Sequence, residues 1–211
     1  NTDYVHNVPK EHKDILAGLI YDCLVCHSTI MIRKKAFIDN NLFYDKAKQA
    51  EDYELWTRAC KIFKFYNIPE ILGEYRVGED NITKGKLAAL SKESGELAGK
   101  NIKETLGVEV PATHIPFLSG WINEFESLDK EAYKKEIVLE QKILEQMWDA
   151  NKRIKYYDAD ALLRVINKRW RNITNTWEYN SDMGEILPMD RLFKVYDVFG
   201  KKIPEATDSS N

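Results

Sequence analysis

The length, composition and charge of this chain are those of a globular protein with a buried core. It has 211 residues, of which 44% are hydrophobic and 31% are charged, enough for one domain or two small ones. Its formal net charge of -3 at pH 7 gives no bulk electrostatic reason to bind nucleic acid, so we expect no nucleic-acid partner.

Apolar runs and cysteines indicate the compartment. No apolar run approaches the ~18 residues of a transmembrane helix, and the first residues lack the layout of a signal peptide. Three cysteines, Cys23, Cys26 and Cys60, cannot all pair within one chain, and such sparse use favours a reducing compartment. We therefore expect a cytoplasmic location.

The first predicted elements are a helix and a strand. Residues 9–21 are predicted to form a short helix, because Ile15, Leu16, Leu19 and Ile20 recur at helical spacing. The β-branched run from Cys23 to Arg33 predicts a strand, in which Cys23 and His27 face one way and Cys26 the other.

A second helix and a pair of strands are predicted next. Residues 50–63 are expected to form a helix that buries Trp56, Ala59 and Phe63, so that Asp52 lies at the start of a buried face. Residues 64–77 then predict two strands broken at Pro69.

After about residue 83 the pattern becomes helical. A helix is predicted to end at Gly107, and a second one over 129–156. A third is predicted to begin at Asp158 as its N-cap, with Lys168, Arg169 and Arg171 on its solvent side. The second and third helices are predicted from apolar residues that recur at helical spacing. These are Leu139, Ile143, Met147, Ala150 and Ile154 in the second, and Leu162, Ile166, Trp170, Ile173 and Trp177 in the third.

The segment Cys23-Leu-Val-Cys-His27 has the C-x-x-C-H spacing of c-type haem attachment. Haem is not expected, because the motif lies inside a predicted strand that separates its two cysteines. A structural zinc site is not expected either, since no second pair of ligands completes a tetrahedron. The simplest interpretation makes both cysteines small buried apolar residues, with His27 hydrogen-bonded near a strand end.

Four blocks occur in order between His27 and Arg76. They are a His-x-Thr strand that ends in Arg33, an Asn-Leu-x-Tyr-Asp segment from Asn41, a Glu-Asp-Tyr-x-Leu-Trp-x-Arg helix from Glu51, and a Pro-Glu-x-Leu-x-x-Tyr-Arg strand from Pro69. Together they resemble the acceptor-side half of family 2 glycosyltransferases, over roughly Ile15 to Thr83. The resemblance implies inverting transfer of a sugar from a nucleotide-diphospho-sugar to a glycan or lipid-linked acceptor.

The resemblance also implies roles for individual residues. Asp52 corresponds to the general base, which removes the proton from the attacking acceptor hydroxyl, and Glu51 to its assistant. A helix-dipole carboxylate is the alternative interpretation of Asp52. The other implied substrate-binding residues are His27, Arg33, Trp56, Arg58, Tyr75 and Arg76, although packing accounts for Trp56 and exposed salt bridges account for both Arg33 and Arg58 equally well.

The donor-binding elements of that family are missing from these 211 residues. Its Asp-Gly-Ser turn and its Asp-x-Asp, which holds a divalent cation such as Mg or Mn, precede the Glu-Asp helix. Here Asp158-Ala-Asp160 follows that helix and is interpreted as a helix cap. Gly78 replaces a histidine that is often near the metal, so no metal ligand is expected in this chain.

We therefore predict an α+β fold that is predominantly helical and a remnant of a GT-A type α/β domain. Residues 1–83 form its acceptor side, 84–203 a helical extension and 204–211 a disordered tail. The chain alone is expected to be catalytically incomplete. It should expose an apolar surface where the donor half docks, or form a homodimer there.

Two further hypotheses stay open. The basic side chains Lys168, Arg169 and Arg171 suggest peripheral contact with the inner face of a membrane. The alternative to an enzyme is a non-enzymatic helical interaction module, in which Asp52 would cap a helix on a convex surface rather than open onto a cleft near His27 and Tyr75.

Overall fold

The computed structural model describes residues 8–74, 85–120 and 124–175. This part of the chain is predominantly helical, and no β-strand occurs in it. The prediction of a mostly helical protein is confirmed, whereas the strands that the α+β assignment required are wrong for the described residues.

The first region contains short helices joined by turns and irregular chain. They are α1 (His12–Gly18), a 3-10 helix at His27–Thr29, α2 (Lys34–Asp39) and α3 (Glu51–Ala59). The 3-10 turn, closed by the Thr29 amide on the Cys26 carbonyl at 3.1 Å, lies in the middle of the predicted Cys23–Arg33 strand.

The missing strands have a physical reason. A strand is stable only when neighbouring strands take up its backbone N–H and C=O groups. Residues 64–74 are neither helix nor strand, and the Asn67 amide donates instead to the Lys10 carbonyl at 3.0 Å. The composition of this segment is β-prone, but the described residues supply no sheet for it to join. The last three residues of the predicted strand pair, 75–77, lie outside the described residues.

The second region is built from long helices. They are α4 (Leu87–Leu106), α5 (Lys130–Ile154) and α6 (Ala159–Asn175), with 3-10 helices at Ala112–Leu118 and Glu124–Ser127 between α4 and α5. The three long helices confirm the predictions made from helical periodicity.

Local capping chemistry sets the helix ends. At the end of α4, Gly107 adopts a left-handed φ of 69° and its amide reaches the Lys103 carbonyl at 2.9 Å, as predicted. Asp158 caps α6 by accepting the Ala161 amide at 3.0 Å, also as predicted. That hydrogen bond is the main cause of the lowered pKa of Asp158. Asp129 caps α5 in the same way, with the Ala132 amide at 2.8 Å.

Three apolar clusters make up the described core. The largest joins α1 to α4, α5 and α6, and it includes Ile143, Met147 and Ala150 of the α5 stripe and Leu162 and Ile166 of the α6 stripe. A second cluster lies under α3, and a third, around Phe125 and Tyr133, closes the far end of α5 and α6. Ile154 departs from its stripe, being 50% exposed at the last turn of α5. Trp177 lies outside the described residues.

The α1 helix belongs to both larger clusters. Within α1, Ala17 packs in the first and Ile15 in the second, and Leu16 contacts both. Just after the helix, Ile20 packs in the first cluster and Leu19 in the second. The predicted division at 83/84 therefore separates residues that share a core at α1, and it stays a prediction, as does the tail at 204–211, which lies outside the described residues.

Candidate functional site

The start of α3 carries the residue on which the functional hypothesis depends. Asp52 lies in the first turn, half-buried, and its Oδ1 accepts the backbone amide of Tyr53 at 2.7 Å. Glu51, beside it, is exposed. The hydroxyl of Tyr53 holds α3 against the end of α1 by donating to the carbonyl oxygens of Leu19 and Ile20 at 3.0 and 3.1 Å.

Besides burial, the negative charge of Asp52 raises the pKa values of two neighbouring side chains, Cys23 and Tyr44. Burial, and then the carboxylate of Asp52, raise the pKa of the Cys23 thiol to about 12. The same two causes, followed by Glu51, raise the pKa of the Tyr44 phenol. Cys23 and Tyr44 therefore stay protonated near neutral pH and lie within electrostatic reach of Asp52.

Aromatic rings line the next turn of the helix. Trp56 is fully buried, as its helical face predicts. The ring of His27 lies 6.2 Å from that of Trp56 and 5.5 Å from that of Tyr44, and Tyr44 and Trp56 are 6.4 Å apart. Thus three separate sequence segments contribute to a group of side chains around one helix, here called the α3 cluster: Cys23, His27, Tyr44, Asp52 and Trp56.

The α3 cluster combines a carboxylate with uncharged donors. Asp52 can accept a proton, whereas the Tyr44 hydroxyl and the imidazole of His27 can hydrogen-bond to a polyhydroxylated ligand. Both His27 and Tyr44 are solvent-exposed, the latter by 43%. The arrangement therefore places a proton acceptor and exposed hydrogen-bonding groups around one helix.

The remaining predicted site residues are arranged differently. Arg58 donates to Glu54 at 2.6 Å and to the Phe43 carbonyl at 2.7 Å, and the hydrogen bond with Glu54 raises its pKa. Of the two interpretations of Arg58, the salt bridge is thus the one observed. Arg33 is exposed and directly precedes α2. Tyr75 and Arg76 lie outside the described residues.

The C-x-x-C-H segment differs from its simplest interpretation. Cys23 is half-buried, but Cys26 is exposed and its sulfur lies 3.5 Å from the Ser28 hydroxyl. The prediction that both cysteines are buried is therefore wrong for Cys26, because the chain turns into a 3-10 helix there. His27 contacts aromatic rings and does not end a strand. Among the described residues, no three His, Cys, Asp or Glu side chains are grouped to hold a metal ion.

The basic face predicted on α6 is wrong at Arg169. This side chain is only 9% exposed, and its Nε donates to Glu140 at 2.8 Å while another nitrogen donates to the Phe117 carbonyl. Lys168 is on the surface, where it pairs with Asp22 at 2.8 Å. A guanidinium held inside the protein by a buried carboxylate cannot contribute to a membrane-binding surface.

Arg169 belongs to a buried ionic group that the sequence did not reveal. His114 and Glu140 are both fully buried. Ion pairs of His114 with Glu136 and Glu140, and of Glu140 with Arg169, join the 3-10 helix 112–118 to α5 and α6. The partners are 26 and 29 residues apart in sequence, so no local motif marks them.

Comparison with known proteins adds no assignment. The chain matches no protein-family model, no curated protein and no solved structure. In the part of the chain that the structure describes, none of the helices has the length and apolar character needed to cross a bilayer.

Proposed function

We propose that the region around α3 is the acceptor side of an inverting family 2 glycosyltransferase, with Asp52 as its general base. The donor would be a nucleotide-diphospho-sugar and the acceptor a glycan or lipid-linked glycan. The 211 residues contain no donor-binding motif, so this chain alone would not transfer sugar.

One observation carries the proposal. The His-x-Thr, Asn-Leu-x-Tyr-Asp and Glu-Asp blocks are separated in sequence, yet they contribute His27, Tyr44 and Asp52 to the α3 cluster. His27 and Tyr44 join the cluster through ring contacts with each other and with Trp56, and Asp52 through its charge, which raises the pKa of Tyr44. In inverting transfer the acceptor hydroxyl attacks the anomeric carbon while a base takes its proton, and a half-buried carboxylate beside exposed hydrogen-bonding groups suits that step.

Exposed apolar side chains are a second feature that the proposal accounts for. Most of the large apolar side chains exposed in the described residues lie between residues 31 and 72. Met31 is 96% exposed, Ile71 73% and Leu72 67%. The Cβ that Gly73 lacks would be 3.1 Å from the Thr29 methyl group, so the 29–32 and 71–73 segments are neighbours on this surface. An apolar surface of this kind is typical of a docking face, as expected for the missing half.

The described residues offer no set of ligands for the divalent cation of the family. No three His, Cys, Asp or Glu side chains of the described residues are placed to coordinate Mg or Mn. We therefore assign no step to a cation in this chain and restrict the proposal to acceptor binding and proton removal.

The test uses the complete gene product, found by sequencing the coding DNA upstream of Asn1. We expect an open frame that encodes a nucleotide-binding region, and an enzyme that transfers sugar. Asp52→Asn should lower kcat by about 100-fold or more, because a positioned general base contributes about 10²–10⁴-fold. Glu96→Gln, an exposed carboxylate of α4, is the control and should leave kcat unchanged. Transfer that survives in Asp52→Asn would contradict the proposal.

The same exposed side chains favour a second candidate, a non-enzymatic interaction module. Hydrophobic-dye binding by this chain should fall when Ile71 and Leu72 are changed to Ser, and should be unaffected by Val138→Ser, an exposed control on α5. If the complete gene product lacks a nucleotide-binding region and binds no nucleotide-sugar, while Ile71 and Leu72 are needed to capture a partner, the module is the better assignment.

A further inference from the structure

The helix that carries Asp52 lacks an N-terminal cap of its own. The residue before α3 is Ala50, whose methyl side chain accepts no hydrogen bond. Helices usually begin with Ser, Thr, Asp or Asn, whose side-chain oxygen satisfies amides that have no partner within the helix. At α3 a carboxylate from another part of the chain instead accepts the amides of the two residues just before the helix.

The acceptor is Glu93 on α4. Its Oε2 accepts the backbone amides of Gln49 and Ala50 at 2.6 and 2.9 Å. In a capping box, a glutamate inside the helix reaches back to the N-cap amide. Glu93 makes the equivalent contact from 43 residues away in sequence, and hydrogen bonds to an ionised carboxylate are stronger than those between neutral groups.

The surrounding contacts fix α4 along the length of α3. Leu90 and Leu97, three residues before and four after Glu93, lie on the same face of α4 and pack in the cluster under α3. Beyond the other end of α3, Lys61 pairs with Glu104 of α4 at 3.1 Å. Glu93 and Glu104 are about 16 Å apart along α4, close to the roughly 13 Å length of α3. Each end of α3 is therefore tied to α4 by a carboxylate.

We infer that Glu93 is a positioning residue for Asp52. It fixes the backbone at Gln49 and Ala50, three and two residues before Asp52, and so sets where the first turn of α3 begins. The helical extension after residue 83 then has a defined duty, which is to hold the acceptor-side carboxylate in place. The catalytic part of this inference rests on the proposed function, whereas the structural part does not.

The structural part is tested in this chain by amide hydrogen exchange and NMR. Glu93→Ala should speed exchange of the Gln49 and Ala50 amides by about fivefold or more, as expected for loss of a cap. Glu93→Gln keeps one acceptor oxygen and should restore part of the protection. Glu96→Ala removes a carboxylate from the exposed side of α4 and should leave both amides unchanged. Equal exchange in Glu93→Ala and the unmodified chain would overturn the assignment.

Positioning requires a second readout that loss of a cap alone would not change. The pKa of the Tyr44 phenol is raised partly by Asp52, so it reports where that carboxylate lies. Glu93→Ala should move the Tyr44 pKa, and in the complete enzyme it should lower kcat more than it changes KM. Faster amide exchange with an unchanged Tyr44 pKa would overturn positioning. If the Tyr44 pKa moves but the unmodified complete protein transfers no sugar, positioning stands and the proposed function fails.

Discussion

The Nε2 atom of His114 lies 2.5 Å from the Oε2 atom of Glu140, and neither side chain has any exposed surface. On its other side, His114 Nδ1 lies 2.7 Å from Glu136. Burial opposes the charged imidazole, but Glu140 and Glu136 outweigh it and raise the pKa of His114. Burial likewise opposes ionisation of Glu140, yet Arg169 and His114 lower the pKa of that carboxyl to about 2. The interior therefore holds a balanced group of ions.

This balance predicts how stability depends on pH. Because the pKa of His114 is higher in the folded protein, its contribution is complete below the unfolded value of 6.5 and is lost as pH rises through the folded value. Urea unfolding at a series of pH values from 6 upward should show stability declining for the unmodified chain relative to His114→Gln. Taking the difference removes the contribution of His12, whose pKa is lowered by burial and by Lys64. A difference that does not vary with pH would contradict the prediction.

Neighbouring cations on α6 should differ widely in their effect. Arg169→Leu leaves the buried Glu140 without its guanidinium partner, and breaking a buried pair costs about 3–5 kcal/mol. Lys168→Leu removes an ion pair whose lysine side chain is 61% exposed, for which we expect a loss of no more than about 1 kcal/mol. Chemical denaturation of the two variants measures both free energies of unfolding. Equal losses of stability would show that the buried pair contributes no more than the exposed one.

Two glycines of α4 provide a matched test of close packing. A Cβ added to Gly95 would lie 2.4 Å from the backbone oxygen of Ile115, which cannot easily move. At Gly99 the atom at 2.4 Å is the end of the flexible Ile115 side chain. Both changes to alanine gain about 1 kcal/mol of helix propensity. We expect Gly95→Ala to lower the melting temperature and Gly99→Ala to lower it less or not at all, and the reverse order would be inconsistent with this contact.

The α3 cluster can be probed without knowledge of any substrate. Asp52→Asn removes a negative charge that raises the pKa of Tyr44, so that pKa should fall toward its ordinary value of 10.0. Glu51→Gln should lower it less, because Glu51 contributes less than Asp52 to the shift. NMR titration of the tyrosine ring carbons measures both variants. An unchanged Tyr44 pKa in Asp52→Asn would show that the two side chains are not close and would contradict the α3 cluster.

Local signals in the sequence predicted most of the helical structure. The stripes of α5 and α6, the stop at Gly107 and the cap at Asp158 depend on residues within a turn or two of each other, so the sequence contains all that sets them. The prediction of strands is wrong for the described residues because a strand requires a partner strand, which composition alone cannot supply.

The candidate site divides in the same way. The burial of Trp56 and the place of Asp52 at a helix start follow from the periodicity of α3. The contacts of Arg169 with Glu140, and of Glu93 with Gln49 and Ala50, join residues 29 and more than 40 apart. No pattern in the sequence marks such pairs, and a charge on a helix looks solvent-facing until the opposite surface is known.

The position of Leu16 between the two larger clusters has a thermodynamic consequence. Since α1 fills part of each cluster, neither one can lose its packing without exposing a face of the same seven-residue helix. The free energies of unfolding of the two clusters are therefore coupled. Packing of α1 against α4, α5 and α6 thus also stabilises the α3 cluster. A substitution far along the helical extension therefore also weakens the packing around Asp52, although the substituted side chain does not contact Asp52.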